Sequence, residues 1–510
     1  MKIRKYILIL FFLLIKNSQG YSQDISDKID LLMNNYYRND QFNGVVLVAK
    51  NGKIIYKKAF GVADRDWNLP VTTDTKFKIA SLSKSFTALA IMQLVSEGKI
   101  RLNGTIKEYI PDYSGKLGDS ITIHQLLTHT SGIRSSLDPE EEIIKQRLHH
   151  DLREYLKYAE ASDLLFKPGN RFGYSNFGYN ILAYIIQMIT GKSYNVVLKE
   201  KIFDPAGMKS TKQYDNILVE EKLAKGYEYN LLYGYRNADY VDASLTVGPG
   251  GLLSTVEDLF LFDRSLYSQK LLSDEYLKSI FKPYQPGKYG YGWFISKRIF
   301  PGLPDSITIA DHSGSIDGFG SYMARILTDS SFVVVLKNQR SDTYIHPGYA
   351  PDIGNQIISI IYGSDPEPTR KSIASHIAYI IGNNGIDSAL TAYEKIEKTQ
   401  PDQYNLEESE LNKLGIELFL RYRLWDEALK IFEINMLKYP ESYNVYDSYA
   451  YVLMKEGKYS DAIRYYKKGL EVLEKFPGCN NIEMVKGEVK MAKIYIKEME
   501  EKLKISDMNH

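Results

Sequence analysis

Strand-like segments stand at both ends of the first 362 residues, and mostly helical patterns and polar loops fill the space between them. At the front, Val45 to Ala49 and Ile54 to Ala59 flank Asn51-Gly52, a dipeptide that adopts positive φ readily and signals a two-residue hairpin. An amphipathic stretch, Ile25 to Tyr37, precedes them. At the back, Ser306 to Ala310, Gly320 to Leu327 and Phe332 to Leu336 read as strands, and a helix is predicted over Ala350 to Tyr362. Such a division predicts an α+β domain whose sheet is completed by the terminal segments.

The pattern changes after residues 364–371 (DPEPTRKS), where two prolines and several charges mark a linker. Beyond it every periodic segment is helical. Trp425-Asp426-Glu427-Ala428-Leu429, with Phe432 and Pro440, returns as Tyr459-Ser460-Asp461-Ala462-Ile463 with Tyr466, and 462 − 428 = 34 residues separate the alanines. A looser copy surrounds Ala389 and Tyr393. This segment resembles two or three tetratricopeptide helix pairs followed by a capping helix, Ile482 to Leu503. Repeats of that kind commonly present a groove to a protein partner, while an ordinary helical bundle would present none. The domain plan is therefore a leader at 1–22, a mixed domain at 23–363, a linker at 364–371 and a helical domain at 372–510.

Lys2, Arg4 and Lys5 precede an apolar run from Tyr6 to Ile15, with small Ser18 and Gly20 beyond it. This predicts a secretory signal cleaved after Gly20 or Ser22, and hence a periplasmic or secreted protein. A membrane enters only if the leader stays uncleaved. The 64 basic and 63 acidic residues leave a net charge of +1, which offers no general footprint for nucleic acid. Cys479 is the single cysteine, so no intramolecular disulfide can form. The eight histidines show no metal-ligand spacing, and no cofactor is expected.

Three motifs carry chemistry. Ser81 and Lys84 lie in FKIASLSKSFTALAIMQLV, where an amine three residues on can reach the serine proton and apolar neighbours favour its neutral form. The same S-x-x-K spacing occurs at Ser96/Lys99 and Ser279/Lys282, without a preceding extended run. Tyr174-Ser175-Asn176 precedes an apolar helix. A phenol beside an ammonium would have its pKa lowered, so Tyr174 is expected to exchange protons with Ser81, and Asn176 to bind Lys84 and a substrate amide. His312-Ser313-Gly314 sits in an extended run. Gly314 would let a substrate backbone lie along the strand edge, and the Ser315 N–H would join that of Ser81 as an oxyanion donor.

Order and spacing of these motifs resemble the penicillin-recognising serine hydrolases: class C β-lactamases, D,D-peptidases and their esterase relatives. ITIHQLLTHTSGI (Ile121 to Ile133) and GPGGLLSTVEDL (Gly248 to Leu259) extend the likeness, which covers roughly residues 25–362. The resemblance implies the β-lactamase/transpeptidase-like fold, an antiparallel sheet flanked by helices plus a helical subdomain. It implies an acyl-enzyme on Ser81, Lys84 as activating base, Tyr174 as acid/base, and Asn176, His312, Ser313 and Gly314 at the substrate. His312 replaces the lysine of the third motif and binds a carboxylate less well, so an ester or D-residue peptide is expected before a β-lactam. A class C-type β-lactamase, a D,D-carboxypeptidase and a catalytically idle binding protein are the alternatives. His129, in the THTSG loop, is expected to be structural.

Overall fold

The computed structural model describes residues 23–300, 305–341, 348–476 and 482–508. The leader and Cys479 lie outside the described residues. Contacts divide the chain into two units. One comprises the described residues up to Glu228, Arg236–Arg340 and Gly348–Thr369; the other comprises Tyr229–Tyr235, Ser341 and the described residues from Arg370 onward.

In the first unit the elements that build the site are β1 (Gly44–Lys50), β2 (Lys53–Phe60), α1 (Ser83–Ser96), α2 (Asn176–Thr190), β3 (Tyr227–Asn230), β4 (Gly234–Asn237), β5 (Phe294–Arg298), β6 (Ile307–Ile316), β7 (Phe319–Ile326), β8 (Ser331–Lys337), β9 (Gln339–Ser341) and α3 (Ala350–Ile361). Six strands form one sheet in the order β5-β6-β7-β8-β1-β2. Every pairing in it is antiparallel. The front hairpin and the back strands thus meet along β1 and β8, in register from Gly44↔Lys337 to Ala49↔Phe332. Asn51 at φ 49° and Gly52 at φ 74° make the turn between β1 and β2.

Both faces of the sheet are covered, because alternate residues of a strand face opposite sides. Val45, Leu47 and Ala49 of β1 join Phe332, Val334 and Leu336 of β8 in one core, packed with Leu82, Phe86 and Leu89 of the α1 region. Val46, Val48, Val333 and Val335 face the other way, into Ile353, Ile357 and Ile361 of α3 and into Ile29, Leu32 and Met33 of the helix at 23–38. Burying an aliphatic side chain of this kind stabilises by about 1.5–3 kcal/mol, so the two layers fix the register from both sides.

The expected strand Ser306 to Ala310 is longer than its sequence pattern: β6 continues to Ile316 because β7 goes on pairing with it, Ser315↔Gly320 and Ile316↔Phe319 included. On its other side β5 pairs only with Ile307 to Asp311. The stretch from His312 to Ile316 therefore runs past the end of β5.

The second unit is helical: α4 (Ile373–Asn384), α5 (Ile386–Thr399), α6 (Glu408–Leu420), α7 (Trp425–Lys438), α8 (Tyr443–Lys455), α9 (Tyr459–Lys475) and α10 (Ile482–Met508). A short parallel pairing of Lys371–Ser372 with Tyr404–Asn405 accompanies them. Ala428 and Ala462 are both fully buried, as are Phe432 and Tyr466. Gly457 at φ 79° makes the turn between α8 and α9. The same core holds Leu231 and Leu232, which lie far away in sequence at the tip of the β3–β4 hairpin.

Candidate active site

Ser81 lies on a short turn, Ala80–Leu82, that leads into α1. Ala80 has φ 49°, a left-handed conformation that costs energy for a residue with a Cβ. The turn is pressed from β6: a Cβ on Gly314 would stand 2.6 Å from the Ile79 carbonyl oxygen and 2.9 Å from Ala80 Cβ. Gly314 thus makes room for the backbone of the Ser81 turn, not for a substrate strand as its motif suggested.

Lys84, in the first turn of α1, is fully buried. Its Nζ lies 3.2 Å from Ser81 Oγ, 2.8 Å from Asn176 Oδ1 and 2.9 Å from the Pro249 carbonyl oxygen. Burial pushes its pKa well below the ordinary lysine value and so favours the neutral amine. A neutral amine has two N–H bonds and one lone pair. Asn176 Oδ1 and the Pro249 carbonyl can only accept, so they engage the two N–H groups and leave the lone pair for the Ser81 hydroxyl proton. This is the geometry of a general base.

The partners of Lys84 are themselves held. Asn176 opens α2, where Ser175 Oγ caps the helix by accepting from Gly178 N–H at 3.0 Å. The Gly248–Gly251 loop is tied to both helices: Thr87 Oγ1 donates to the Gly248 carbonyl at 2.6 Å, and Gly248 N–H donates to Asn180 Oδ1 at 3.1 Å.

Tyr174 stands beside this pair, its ring 4.6 Å from Lys84 Nζ and its hydroxyl hydrogen-bonded to Ser81. Its pKa is raised, contrary to the expectation from sequence. Burial of the phenol drives the shift and outweighs the opposing Ser81 contact. Tyr174 is therefore a phenol, a proton donor rather than a phenolate base.

His312 also departs from expectation. It is 2% exposed, and burial pushes its pKa down to about 3. Nδ1 lies 2.6 Å from the Ser313 carbonyl oxygen, which fixes the proton on Nδ1; Nε2 then accepts from the Tyr289 hydroxyl at 2.9 Å. The ring is neutral, has both nitrogens engaged and offers a substrate carboxylate no charge. Of this strand segment Ser315 and Ile316 line the cavity in front of Ser81; His312, Ser313 and Gly314 do not. His129 is buried, accepts from Ser175 N–H through Nδ1 at 3.0 Å, and stacks on Tyr174 with ring centroids 4.3 Å apart. Its Nε2 has no hydrogen-bond partner.

The cavity measures about 300 Å³ and brings together Ser81, Asn176 and Ser315 with Ser135, Tyr155 and Arg340, while Glu228 and Asp239 form part of its wall. A larger cavity of about 620 Å³, lined by His149, Lys212 and Asp242 among others, holds neither Ser81 nor Lys84. Among the described residues no group of three or more His, Cys, Asp or Glu side chains is arranged to hold a metal ion. Sequence reasoning missed the Pro249 carbonyl, although its GPGG setting was visible, and missed the bracing of Tyr174 by His129. It also missed the cavity wall from Glu228, Asp239 and Arg340, for which no motif exists.

A serine paired with a buried lysine and a tyrosine, set between helices and an antiparallel sheet, defines the serine hydrolases of the β-lactamase/transpeptidase fold. The chain belongs to the Beta-lactamase family, whose profile matches residues 29–348. A penicillin-binding protein of Bacillus subtilis strain 168 is 32% identical over 323 residues, spanning 59% of this chain and 69% of the relative. The penicillin-binding protein homologue from Pyrococcus abyssi superposes with a TM-score of 0.57 at 28% identity, over 68% of this chain and 78% of that one. D-amino acid amidase from Ochrobactrum anthropi shares the fold, with a TM-score of 0.58 at 23% identity over 66% of this chain and 98% of its own.

Proposed function

We propose that this protein is an exported serine hydrolase that works through an acyl-enzyme on Ser81 and cleaves an ester or a D-residue peptide. The observation that carries this reading is the Lys84 amine, neutral by burial, 3.2 Å from Ser81 Oγ with its N–H groups committed elsewhere. Lys84 accepts the Ser81 proton as Oγ attacks the substrate carbonyl carbon. The backbone N–H groups of Ser81 and Ser315 receive the oxyanion. As the carbonyl re-forms, the bond to the leaving oxygen or nitrogen breaks, and the proton held on Lys84 passes through Tyr174 to the leaving group. Water then attacks the acyl carbon with the same groups in reverse. Asn176 keeps its Oδ1 on Lys84 and directs its Nδ2 to the substrate carbonyl.

The neutral, buried His312 supplies no fixed cation, which favours esters and D-residue amides over β-lactams. The helical unit is read as tetratricopeptide-like, a site for a protein partner, on the 34-residue spacing of the buried Ala428 and Ala462. Export rests on the leader sequence. Incubation with a fluorescent fluorophosphonate and peptide mapping tests the proposal: label is expected on Ser81 and absent from Ser81→Ala. Intact, folded protein that takes no label would overturn it.

A further inference from the structure

The cavity in front of Ser81 continues past its own wall. Val241, Thr246, Gly250, Ile316 and Asp317 line it and also line a neck of about 10 Å³. Tyr214, Asp242 and Ala243 carry the neck on into the cavity of about 620 Å³. The three spaces thus share walls in series, all within the first unit. The neck has room for roughly one water molecule. Tyr214 is the large side chain standing in it. Its N–H donates to the Gly251 carbonyl at 2.8 Å, and its ring centre lies 4.0 Å from the Nζ of Lys78, which pairs with Asp317 at 2.7 Å.

The far cavity is apolar where it is free. Its charges answer one another: Lys212 pairs with Glu220, and His149 Nδ1 lies 3.3 Å from Asp242 Oδ1. Leu152, Val247, Ile217 and Leu218 supply apolar wall. At its lip Ile217, Leu218 and Val219 are 85%, 62% and 94% exposed. Apolar residues exposed singly are ordinary, but three in a row beside a cavity make a patch that calls for a cover. The lip is tied to the neck itself. Asn216 Nδ2 donates to the Val241 carbonyl at 3.3 Å, and Asn216 Oδ1 accepts from the Ala243 N–H at 2.7 Å.

That continuity says what the cover is. Tyr174, through which the leaving group takes its proton, lines neither the neck nor the far cavity, so the acyl part of the substrate is the part that faces the neck. We propose that the cavity beyond Tyr214 is a subsite for an unbranched apolar chain, which makes the substrate a medium-chain acyl ester whose chain passes Tyr214 and ends under Ile217 and Leu218. This rests on the reading of Ser81 as the acylated residue. The neck is too narrow for a chain with the Tyr214 ring in place, so the ring turns aside as the chain enters. Each methylene that leaves water is worth up to about fourfold in binding, whereas an acetyl group never reaches the neck.

The test measures kcat/KM of the full chain for p-nitrophenyl acetate, butanoate and octanoate. The value should rise at least tenfold from butanoate to octanoate. Leu218→Asp puts a charge where the chain ends, on a side chain already in water, and should lower the octanoate-to-acetate ratio at least tenfold. Tyr214→Ala widens the neck and should raise that ratio at least threefold. A flat series in the parent would overturn the proposal, as would the parent's ratio in Leu218→Asp, which decides where the two variants disagree. If Leu218→Asp keeps the ratio but releases the protein from phosphatidylcholine vesicles, or turns a dimer into a monomer, the lip belongs to a bilayer or a second copy and the proposal falls. Labelling of Ser81 by a small fluorophosphonate does not depend on chain length. Label with a flat ester series sinks this proposal alone, whereas no label and no turnover of any ester sinks the reading of Ser81 and this one with it.

Discussion

Replacing Lys84 by Met keeps a flexible side chain of similar length in the same buried slot and removes only the amine. General-base assistance contributes about 10²–10⁴ in rate, so acylation of Ser81 should slow by that factor, or about 3–5 kcal/mol in the barrier. The variant also tests the charge state through stability. The lysine pKa in the fold lies well below the unfolded value of 10.5, because burial penalises the ammonium. Between those two values the unfolded chain binds one proton that the folded chain does not. Stability from this group therefore rises with pH, at about 1.4 kcal/mol per pH unit, and levels off above 10.5. Met abolishes that slope. It also leaves Asn176 Oδ1 and the Pro249 carbonyl without their donor, at about 1–3 kcal/mol each, but that loss does not depend on pH in this range. Urea unfolding at pH 7.5, 8.5 and 9.5, followed by the fluorescence of the buried Trp293 in a background carrying both Trp67→Phe and Trp425→Phe, gives the two slopes. The parent should exceed the variant by about 1.4 kcal/mol per pH unit. Equal slopes would mean that Lys84 keeps its proton in the folded protein, and its role as base would fall with that result.

Gly314→Ala drives a Cβ against Ile79 O and Ala80 Cβ; we expect about 1–3 kcal/mol of destabilisation by thermal melting and slower labelling of Ser81, whereas a neutral outcome would show that the turn gives way freely. His312 carries no charge above about pH 3, so His312→Gln should leave the inflections of the pH–labelling profile where they are, and loss of an inflection near pH 6 would contradict this. In the helical unit, burial and the neighbouring Glu488 raise Asp447 to about 6, opposed by the Tyr443 hydroxyl that donates to it. Its folded pKa exceeds the unfolded 3.8, so the fold holds the extra proton and loses stability as pH climbs from about 4 to 6. Asp447→Asn keeps an acceptor for Tyr443 and should raise stability at pH 7 by up to about 3 kcal/mol, measured by urea unfolding of the full chain.

The sheet was legible because burial on both faces demands continuous apolar runs, as in Val45 to Ala49 and Phe332 to Leu336, and Asn51-Gly52 announced its hairpin turn. The far half of β6 was read as extended only from its motif: from His312 to Ser315 its residues are polar or glycine, and pairing with β7 holds them as strand. The convergence of Ser81, Lys84, Tyr174 and Asn176 was readable from motif order. The protonation of Tyr174 was not, since its sign depends on how deeply both Tyr174 and Lys84 are buried, a tertiary property. For His312 the sequence identified the residue but not the direction its ring would take. Leu231 and Leu232 sit in YEYNLLYGYRN, which reads as an ordinary surface loop; nothing local reveals that distant helices from Ile373 onward will cover them.

The junction of β1 with β8 has a consequence for how the chain comes into being. Gly44 pairs with Lys337, and 337 − 44 = 293 residues must be synthesised after the first before the second exists. At roughly 5–20 residues per second, β1 waits roughly 15–60 s for its neighbour. Meanwhile both of its faces, Val45 to Ala49, are apolar and one hydrogen-bonding edge is unclaimed, the state in which a strand is most prone to pair with the wrong partner. The Ser81 turn waits as well, since β6, which packs against Ile79 and Ala80, emerges late. A nascent chain that ends before β6 thus has Ser81 but not the strand against which its turn packs.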